Sequence, residues 1–212
     1  MKSFIESKQS KKELSPEEKK IATSLESFQN LEIKDRIFLV LVWRKLKTAS
    51  AISLEDGVSV AVMGDLEKRI KKAGLFFKKT DKIVGENEML GLRLGGNICF
   101  VANNPEDLNS ISKLWFGDQE KDPGIYRELG RMSGYPPTAI DPQILTISET
   151  EKIEKLKKEP NLIPFAVLFY MSKEHFENEL ETVRKWAEEI KLVTPALYQL
   201  FLRDFQSRRK KC

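Results

Sequence analysis

The chain has 212 residues, of which 41% are hydrophobic and 32% are charged, and its formal net charge is +4. This length and composition suit one folded domain and exclude a disordered or disulfide-dependent chain. The positive charge lies at the ends, where residues 1–20 hold six lysines against four glutamates and residues 203–212 hold five basic residues against one acidic residue. The body is slightly acidic, so it gives nucleic-acid binding little support.

We expect a disordered polar segment over 1–14, a single domain over 15–207 and a solvated basic tail over 208–212. The two cysteines, Cys99 and Cys212, show no pairing pattern, which is typical of a reducing cytosol. The sequence shows neither a signal peptide nor an apolar run of about 20 residues that would span a bilayer. The expected location is therefore the cytoplasm, without a membrane partner.

Several helix starts are marked by a capping side chain that precedes proline, at Ser15, Asn104, Asp122 and Thr194. Ser15 and Ser148 also have glutamate three residues later, which completes a capping box. Together with the hydrophobic periodicity, these signals predict helices over 16–30, 65–72, 105–115, 123–133, 149–158, 173–191 and 195–207.

Strand signals lie mainly in the middle of the chain. Residues 90–94 and 98–101 flank a Gly-Gly pair and predict a β-hairpin, 75–78 is a third strand, and the apolar run 165–170 is a fourth. The apolar run within 35–47 fits a buried helix or a buried strand, and we favour the helix. The fold class is α+β, with a small, mostly antiparallel sheet of about four strands packed with six to seven helices.

Motifs for the common chemistries are absent. The sequence has one histidine, His175, and no CxxC, HExxH, P-loop or GxGxxG pattern, so we expect no metal site and no cofactor. Gly91, Gly95 and Gly96 fit a hairpin turn better than a phosphate loop. His175 and Cys99 are better explained as structural residues than as a base and a nucleophile. The sequence motifs identify no catalytic residue, so whether the protein is an enzyme stays an open question.

An aromatic and basic run supports an alternative function. Phe76 and Phe77 stand beside Lys78 and Lys79, and Arg93 would lie on a neighbouring strand. Single-strand binders use such side chains to stack bases and neutralise phosphates. Core packing of alternate aromatics explains the same residues, and we favour that explanation.

One predicted helix carries an unusual set of residues. Arg127 and Arg131 lie one turn apart with Gly130 between them, and Tyr135 follows the helix end. Gly130 would admit a ligand, which Arg127, Arg131 and Tyr135 would ring as an anion-binding cluster. Helix termination is the structural alternative, because Gly134 suits a left-handed residue after the helix and Arg131 suits the negative end of the helix dipole.

The same residues carry a resemblance. Leu129-Gly130-Arg131 followed by Gly134-Tyr135-Pro136 resembles the LGRLLGYP motif of small prokaryotic proteins, some of which continue with a cysteine pair. Here residues 137–139 are Pro, Thr and Ala, so the resemblance implies no metal or redox role. Segments 46–49 and 74–77 are similar to the same proteins. Those proteins carry no established activity, so the resemblance implies no substrate.

These features together predict a soluble α+β module of the cytosol that works by binding a protein or a small anionic ligand. The first alternative is a nucleic-acid-associated accessory protein that uses 76–79 and the basic tail. The second is an enzyme of unfamiliar type with an anion site at Arg127, Arg131 and Tyr135. The sequence indicates no particular oligomeric state.

Overall fold

A computed structural model describes residues 13–54, 58–83, 97–117, 122–141 and 145–209. Within these residues the chain forms nine α-helices and a three-stranded sheet. The helices are α1 (Pro16–Glu26), α2 (Ile33–Trp43), α3 (Val60–Lys72), α4 (Pro105–Leu114), α5 (Pro123–Met132), α6 (Glu149–Lys155), α7 (Ile163–Val167), α8 (Phe176–Val193) and α9 (Pro195–Arg209), and the strands are β1 (Ala49–Leu54), β2 (Phe76–Ile83) and β3 (Asn97–Ala102). The α+β class is confirmed, with three described strands instead of four and nine helices instead of six or seven.

The sheet is antiparallel, with β3 between β1 and β2. Ala102 of β3 lies opposite Ala49 of β1 on one side and opposite Phe76 of β2 on the other. Because side chains alternate along a strand, β3 contributes to two separate cores. Cys99 and Val101 pack with α2 and α3, whereas the residues between and beside them pack with α4 and α5.

The central helix α2 is buried on nearly all sides. Ile37, Val40 and Leu41 pack in the large cluster formed with α8 and α9, whereas Leu39 and Val42 pack toward the sheet. A helix that is apolar all round is typical of a position in the core. The preference for a helix within 35–47 is therefore confirmed.

The predicted caps form at most helix starts. The hydroxyls of Ser15 and Ser148 and the amide oxygen of Asn104 each accept the N–H group three residues later, and Asp122 accepts the N–H two residues later. Thr194 differs, because its hydroxyl donates to a carbonyl of the preceding turn at 3.2 Å and so helps to end α8.

The fourth strand predicted over 165–170 is wrong. This apolar segment contains most of α7, and a prolyl residue stands at the start of α7 and of the 3-10 turn before it. A continuous apolar run does not distinguish a buried strand from a buried helix. In contrast, β1 was not predicted, because Ala49–Leu54 alternates small residues with only two large ones.

Some predicted segments lie outside the described residues. These are most of the N-terminal segment and the first arm of the hairpin, 90–94, with its glycines, whereas the second arm is β3. At the other end α9 continues to Arg209, and Arg208 donates to Asp204 at 2.9 Å. None of the described helices combines the length and the apolar character needed to cross a membrane.

Candidate functional site

Both arginines of α5 have carboxylate partners. The guanidinium of Arg131 donates to Glu128 at 2.6 Å and lies 3.4 Å from Asp107. Hydrogen bonds and attraction from these carboxylates raise the pKa of Arg131 above its ordinary value. Arg127 lies 3.9 Å from Asp141. The positive charge that an anion would need is therefore compensated within the protein.

Gly130 and Tyr135 are also occupied by packing. A Cβ added to Gly130 would lie 2.2 Å from Cγ2 of Ile140, so a neighbouring side chain already fills this space. The hydroxyl of Tyr135 donates to the carbonyl of Leu168 at 3.1 Å, and its ring centroid is 4.6 Å from that of Phe169. None of Arg127, Gly130, Arg131 and Tyr135 lines the cleft between α1 and α3 or the cleft between α7 and α9. The anion site around α5 stays a prediction, to which this packing adds no support.

The strand β2 divides the residues of the nucleic-acid alternative between two faces of the sheet. Phe77 packs in the core beneath α3, whereas Phe76 is 41% exposed. Lys78 shares the face of Phe76 and donates to a serine hydroxyl of α4 at 2.9 Å. Lys79 is exposed and, two residues after Phe77, lies on the same face of the strand as Phe77. Arg93 lies outside the described residues, so the structure brings together only Phe76 and Lys78.

Cys99 is buried in the core, and His175 lies at the start of α8. Burial raises the pKa of the Cys99 thiol to about 12, which disfavours the thiolate. His175 is the residue before α8, and its N–H donates to the hydroxyl of Ser172 at 3.0 Å. The buried carboxylate of Glu179 accepts the N–H of Ser172 at 2.6 Å and its hydroxyl at 2.9 Å. These bonds fix the chain at the start of α8.

Lys47 is an unusual buried group that no sequence pattern indicated. It is 3% exposed, and its Nζ lies 3.9 Å from the ring centroid of Phe38, 5.1 Å from that of Trp186 and 5.7 Å from that of Tyr135. This Nζ has no hydrogen bond or ion pair with any residue that the structure describes. Burial lowers the pKa of Lys47 to about 7, and attraction to Asp35 offsets only part of this change.

The segment after α5 supports the loop that carries Lys47. The N–H of Thr48 donates to the carbonyl of Met132 at 2.9 Å. Gly134 has a φ of +74°, and a Cβ added there would lie 2.2 Å from the carbonyl oxygen of Leu46. The segments 46–49 and 129–136, which share one resemblance, therefore meet in space. Their contact explains Gly134 and places Tyr135 beside Lys47.

Asp35 is a second buried ionisable residue near this loop. It is 3% exposed, and its carboxylate accepts the N–H of Ser53 in β1 at 3.0 Å. Burial raises the pKa of Asp35 to about 6, although the bond from Ser53 opposes this change. Strongly shifted pKa values often mark functional sites. Neither Asp35 nor Lys47 lines either cleft described here, so we interpret the pair as structural.

A strongly basic cleft lies between α1 and α3. It has a volume of about 440 Å³, and every residue that lines it is polar. These residues are Lys20, Thr23 and Ser24 from α1, Ser27 from the C-cap of α1, and Asp65, Lys68, Arg69 and Lys72 from α3. Four cationic side chains thus surround one carboxylate. No local pattern predicted this site, because each helix by itself shows an ordinary solvated polar face.

Arg69 connects the two walls of the basic cleft. Its Nε donates to Asp65 at 2.8 Å, and its Nη1 donates to the carbonyl of Ser24 at 2.7 Å and to the hydroxyl of Ser27 at 3.2 Å. The guanidinium carbon lies 5.4 Å from the ring centroid of Phe28. Within the described part of the chain Nη2 has no partner, so a fixed guanidinium offers two free N–H donors.

A second cleft of about 440 Å³ is mainly apolar and lies between α7 and α9. Val167, Leu168 and Phe205 form part of its lining. Its rim carries both acidic and basic side chains. Four of these side chains form two salt bridges, Arg208 with Asp204 at 2.9 Å and Lys34 with Glu32 at 3.1 Å. This balanced rim selects no charged ligand.

Comparison with known proteins adds no assignment. The chain matches no protein-family model, no curated protein sequence and no solved structure. Among the described residues, no three His, Cys, Asp or Glu side chains come together in an arrangement that would hold a metal ion. The function of the chain is therefore inferred from its own geometry.

Proposed function

We propose that this chain is a binding module that recognises a phosphate-bearing anionic ligand through the basic cleft between α1 and α3. The observation that supports the proposal is the uncompensated charge of an open, shallow polar site. Lys20, Lys68 and Lys72 have no carboxylate partner among the described residues, and Asp65 is already bonded to Arg69. Charge-assisted hydrogen bonds from such donors to phosphate are about twice as strong as neutral ones.

Helix dipoles account for only part of this charge. Lys72 lies in the last turn of α3, where the negative end of the helix favours a cation. Lys20 lies in the second turn of α1, and Lys68 precedes the last turn of α3. The dipole effect is confined to the terminal turns, so it gives no reason for either of these two lysines.

The proposal keeps the expected class of protein, a binding module for an anionic partner, and moves the site. The sequence pointed to α5, whose arginines are paired with carboxylates. The lysines of the basic cleft are unpaired and exposed. Binding at this cleft requires no catalytic group, so it makes no claim about enzyme activity.

The experiment compares the wild-type chain with Lys20→Gln/Lys68→Gln/Lys72→Gln in a binding titration with inorganic polyphosphate at low salt. We expect the variant to bind at least about tenfold more weakly, because three charge-assisted contacts are lost. The control is Lys113→Gln/Lys185→Gln/Lys191→Gln, which removes the same charge from exposed positions outside the cleft. Equal weakening of both variants, or no binding by the wild-type chain, would overturn the proposal.

An oligonucleotide titration separates this proposal from the nucleic-acid alternative. Three phosphate contacts at the basic cleft give a slope of log affinity against log salt of about −2 for a single strand. The cleft variant should lose this slope, and Lys78→Gln/Lys79→Gln should keep it. If only the second variant loses oligonucleotide binding, the nucleic-acid alternative at β2 replaces the present proposal.

A further inference from the structure

We infer that the basic cleft takes a ligand with two linked phosphate groups, such as pyrophosphate or a diphosphate ester, in preference to a single phosphate. This inference rests on the proposed function and specifies the ligand of the same site. Three features of the cleft support it: the length of its two walls, the number of its unpaired cations, and the fixed guanidinium between the walls.

Both walls have the same length and spacing. The lining residues of α1 with its C-cap Ser27 and those of α3 each occupy positions i, i+3, i+4 and i+7, which form one face of a helix over two turns. Seven residues of helix advance about 10 Å, so the polar trough is about 10 Å long. A single phosphate group fills only part of that length, whereas two linked groups lie along it.

The charge of the cleft fits the same ligand. The opposite charges of Arg69 and Asp65 cancel, which leaves the three ammonium groups of Lys20, Lys68 and Lys72. A phosphate monoester carries a charge of about −1.5 to −2 at neutral pH. A second linked phosphate adds about one further negative charge, which matches the third ammonium group.

The fixed hydrogen-bond donor of the cleft is the guanidinium of Arg69 on the α3 wall. Arg69 comes one residue after Lys68 and three residues before Lys72, so it lies between the two lysines in sequence and lines the same cleft. Its planar fork suits a pair of phosphate oxygens, and three existing hydrogen bonds hold it in place. On the facing wall, the hydroxyls of Thr23 and Ser24 make no hydrogen bond with the described residues and are further donors.

Calorimetric titration of the full chain tests the inference, with inorganic phosphate and pyrophosphate compared at constant ionic strength. We expect pyrophosphate to bind at least about tenfold more tightly than phosphate, a difference of about 1.4 kcal/mol. In Lys72→Gln, pyrophosphate should weaken severalfold more than phosphate, because the smaller charge of phosphate is still matched by Lys20 and Lys68. Lys185→Gln on α8 is the matched control and should leave both affinities unchanged.

The outcomes separate this inference from the proposed function. If phosphate and pyrophosphate bind equally and Lys68→Gln/Lys72→Gln weakens both, the inference is wrong and the proposed function stands. If pyrophosphate binds the wild-type chain and Lys68→Gln/Lys72→Gln equally well, both are wrong. A thermal melt of each variant shows whether the fold is intact, and we expect it to be, since both lysines are exposed.

Discussion

At the scale of single residues, Lys47 is held in a place that opposes its charge. A buried ammonium loses its hydration, and contacts with aromatic rings restore only part of the lost free energy. The pKa of Lys47 is about 7 in the folded chain instead of its ordinary 10.5. Between these pH values the unfolded chain binds more protons than the folded chain, so the contribution of Lys47 makes stability rise with pH across this window.

Lys47→Met is therefore expected to raise the free energy of unfolding by about 2 kcal/mol at pH 7. Methionine is similar in length, carries no charge, and makes favourable sulfur contacts with aromatic rings. The gain over the wild-type chain should shrink as the pH rises through 10.5, because Lys47 then loses its proton in the unfolded chain as well.

Urea unfolding at several pH values between 7 and 10.5 measures this gain. The matched control is Lys185→Met, an exposed lysine of α8, for which we expect a pH-independent change within about 0.5 kcal/mol. A gain from Lys47→Met that is the same at every pH would show that the ammonium charge is not its cause.

Residue-level prediction from the sequence succeeded where the physics is local. Gly134 was predicted to be left-handed because a helix ends before it, and its φ of +74° confirms this. The notch at Gly130 is filled by Ile140, and the ring of Phe38 reaches Lys47 from a different turn of the chain. Contacts of this kind depend on the fold, so residue spacing did not reveal them.

At the scale of elements, two helices end in the same way with different surroundings. Gly74 follows α3 and Gly134 follows α5, and both have a φ of +74°. A Cβ on Gly74 would meet no atom within 4 Å, whereas one on Gly134 would lie 2.2 Å from the carbonyl oxygen of Leu46. An alanine at Gly74 would therefore meet backbone strain alone, whereas an alanine at Gly134 would meet the same strain and a clash with another segment.

Gly74→Ala should therefore lower the free energy of unfolding by about 1 kcal/mol, which is the penalty of a left-handed alanine. Gly134→Ala should lower it by at least about 2 kcal/mol more, because a main-chain carbonyl cannot move aside as a side-chain end can. Denaturant unfolding of the two variants measures the difference. Equal losses of stability in the two variants would mean that the close contact of Gly134 with the carbonyl of Leu46 does not contribute to the cost of the substitution.

Element prediction was accurate for helices with strong caps and partly right for strands, since the predicted strands 75–78 and 98–101 lie almost wholly in β2 and β3. A capping side chain acts within one turn, as does a proline where one follows it, so the starts of α1, α4, α5 and α6 follow from the local sequence. The strand β1 is defined by pairing with β3, which lies about 50 residues away in the chain. The apolar run that contains α7 fits a buried strand as well as a buried helix, so its composition alone does not predict the helix.

At the scale of the whole molecule, the basic cleft shows the limit of sequence patterns. Its walls are separated by about 40 residues, and each wall is the solvated face of an amphipathic helix. The tertiary contact between α1 and α3 alone turns these two faces into one site. The net charge of the body does not reveal the cleft, since acidic residues elsewhere in the chain offset its lysines.

The three cores of the molecule are joined by α2 and by the central strand β3. Residues of α2 belong both to the cluster with α8 and α9 and to the cluster beneath α3. Residues of β3 join this second cluster to the third, which contains α4 and α5. Opening one core therefore exposes apolar surface of another, so we expect the described domain to unfold in one transition.

Tryptophan fluorescence tests this cooperativity during urea unfolding. Trp186 lies in the cluster with α8 and α9, and Trp115 packs against the cluster with α4 and α5. Two variants, each with Trp43→Phe and only one of these two tryptophans, therefore report on separate cores. In each background Leu39→Ala, placed in the second cluster, should lower stability by about 2 to 5 kcal/mol and shift the transition equally for both probes. The half-exposed Leu192→Ala is the control and should shift neither. A shift confined to one tryptophan would mean that the cores unfold independently.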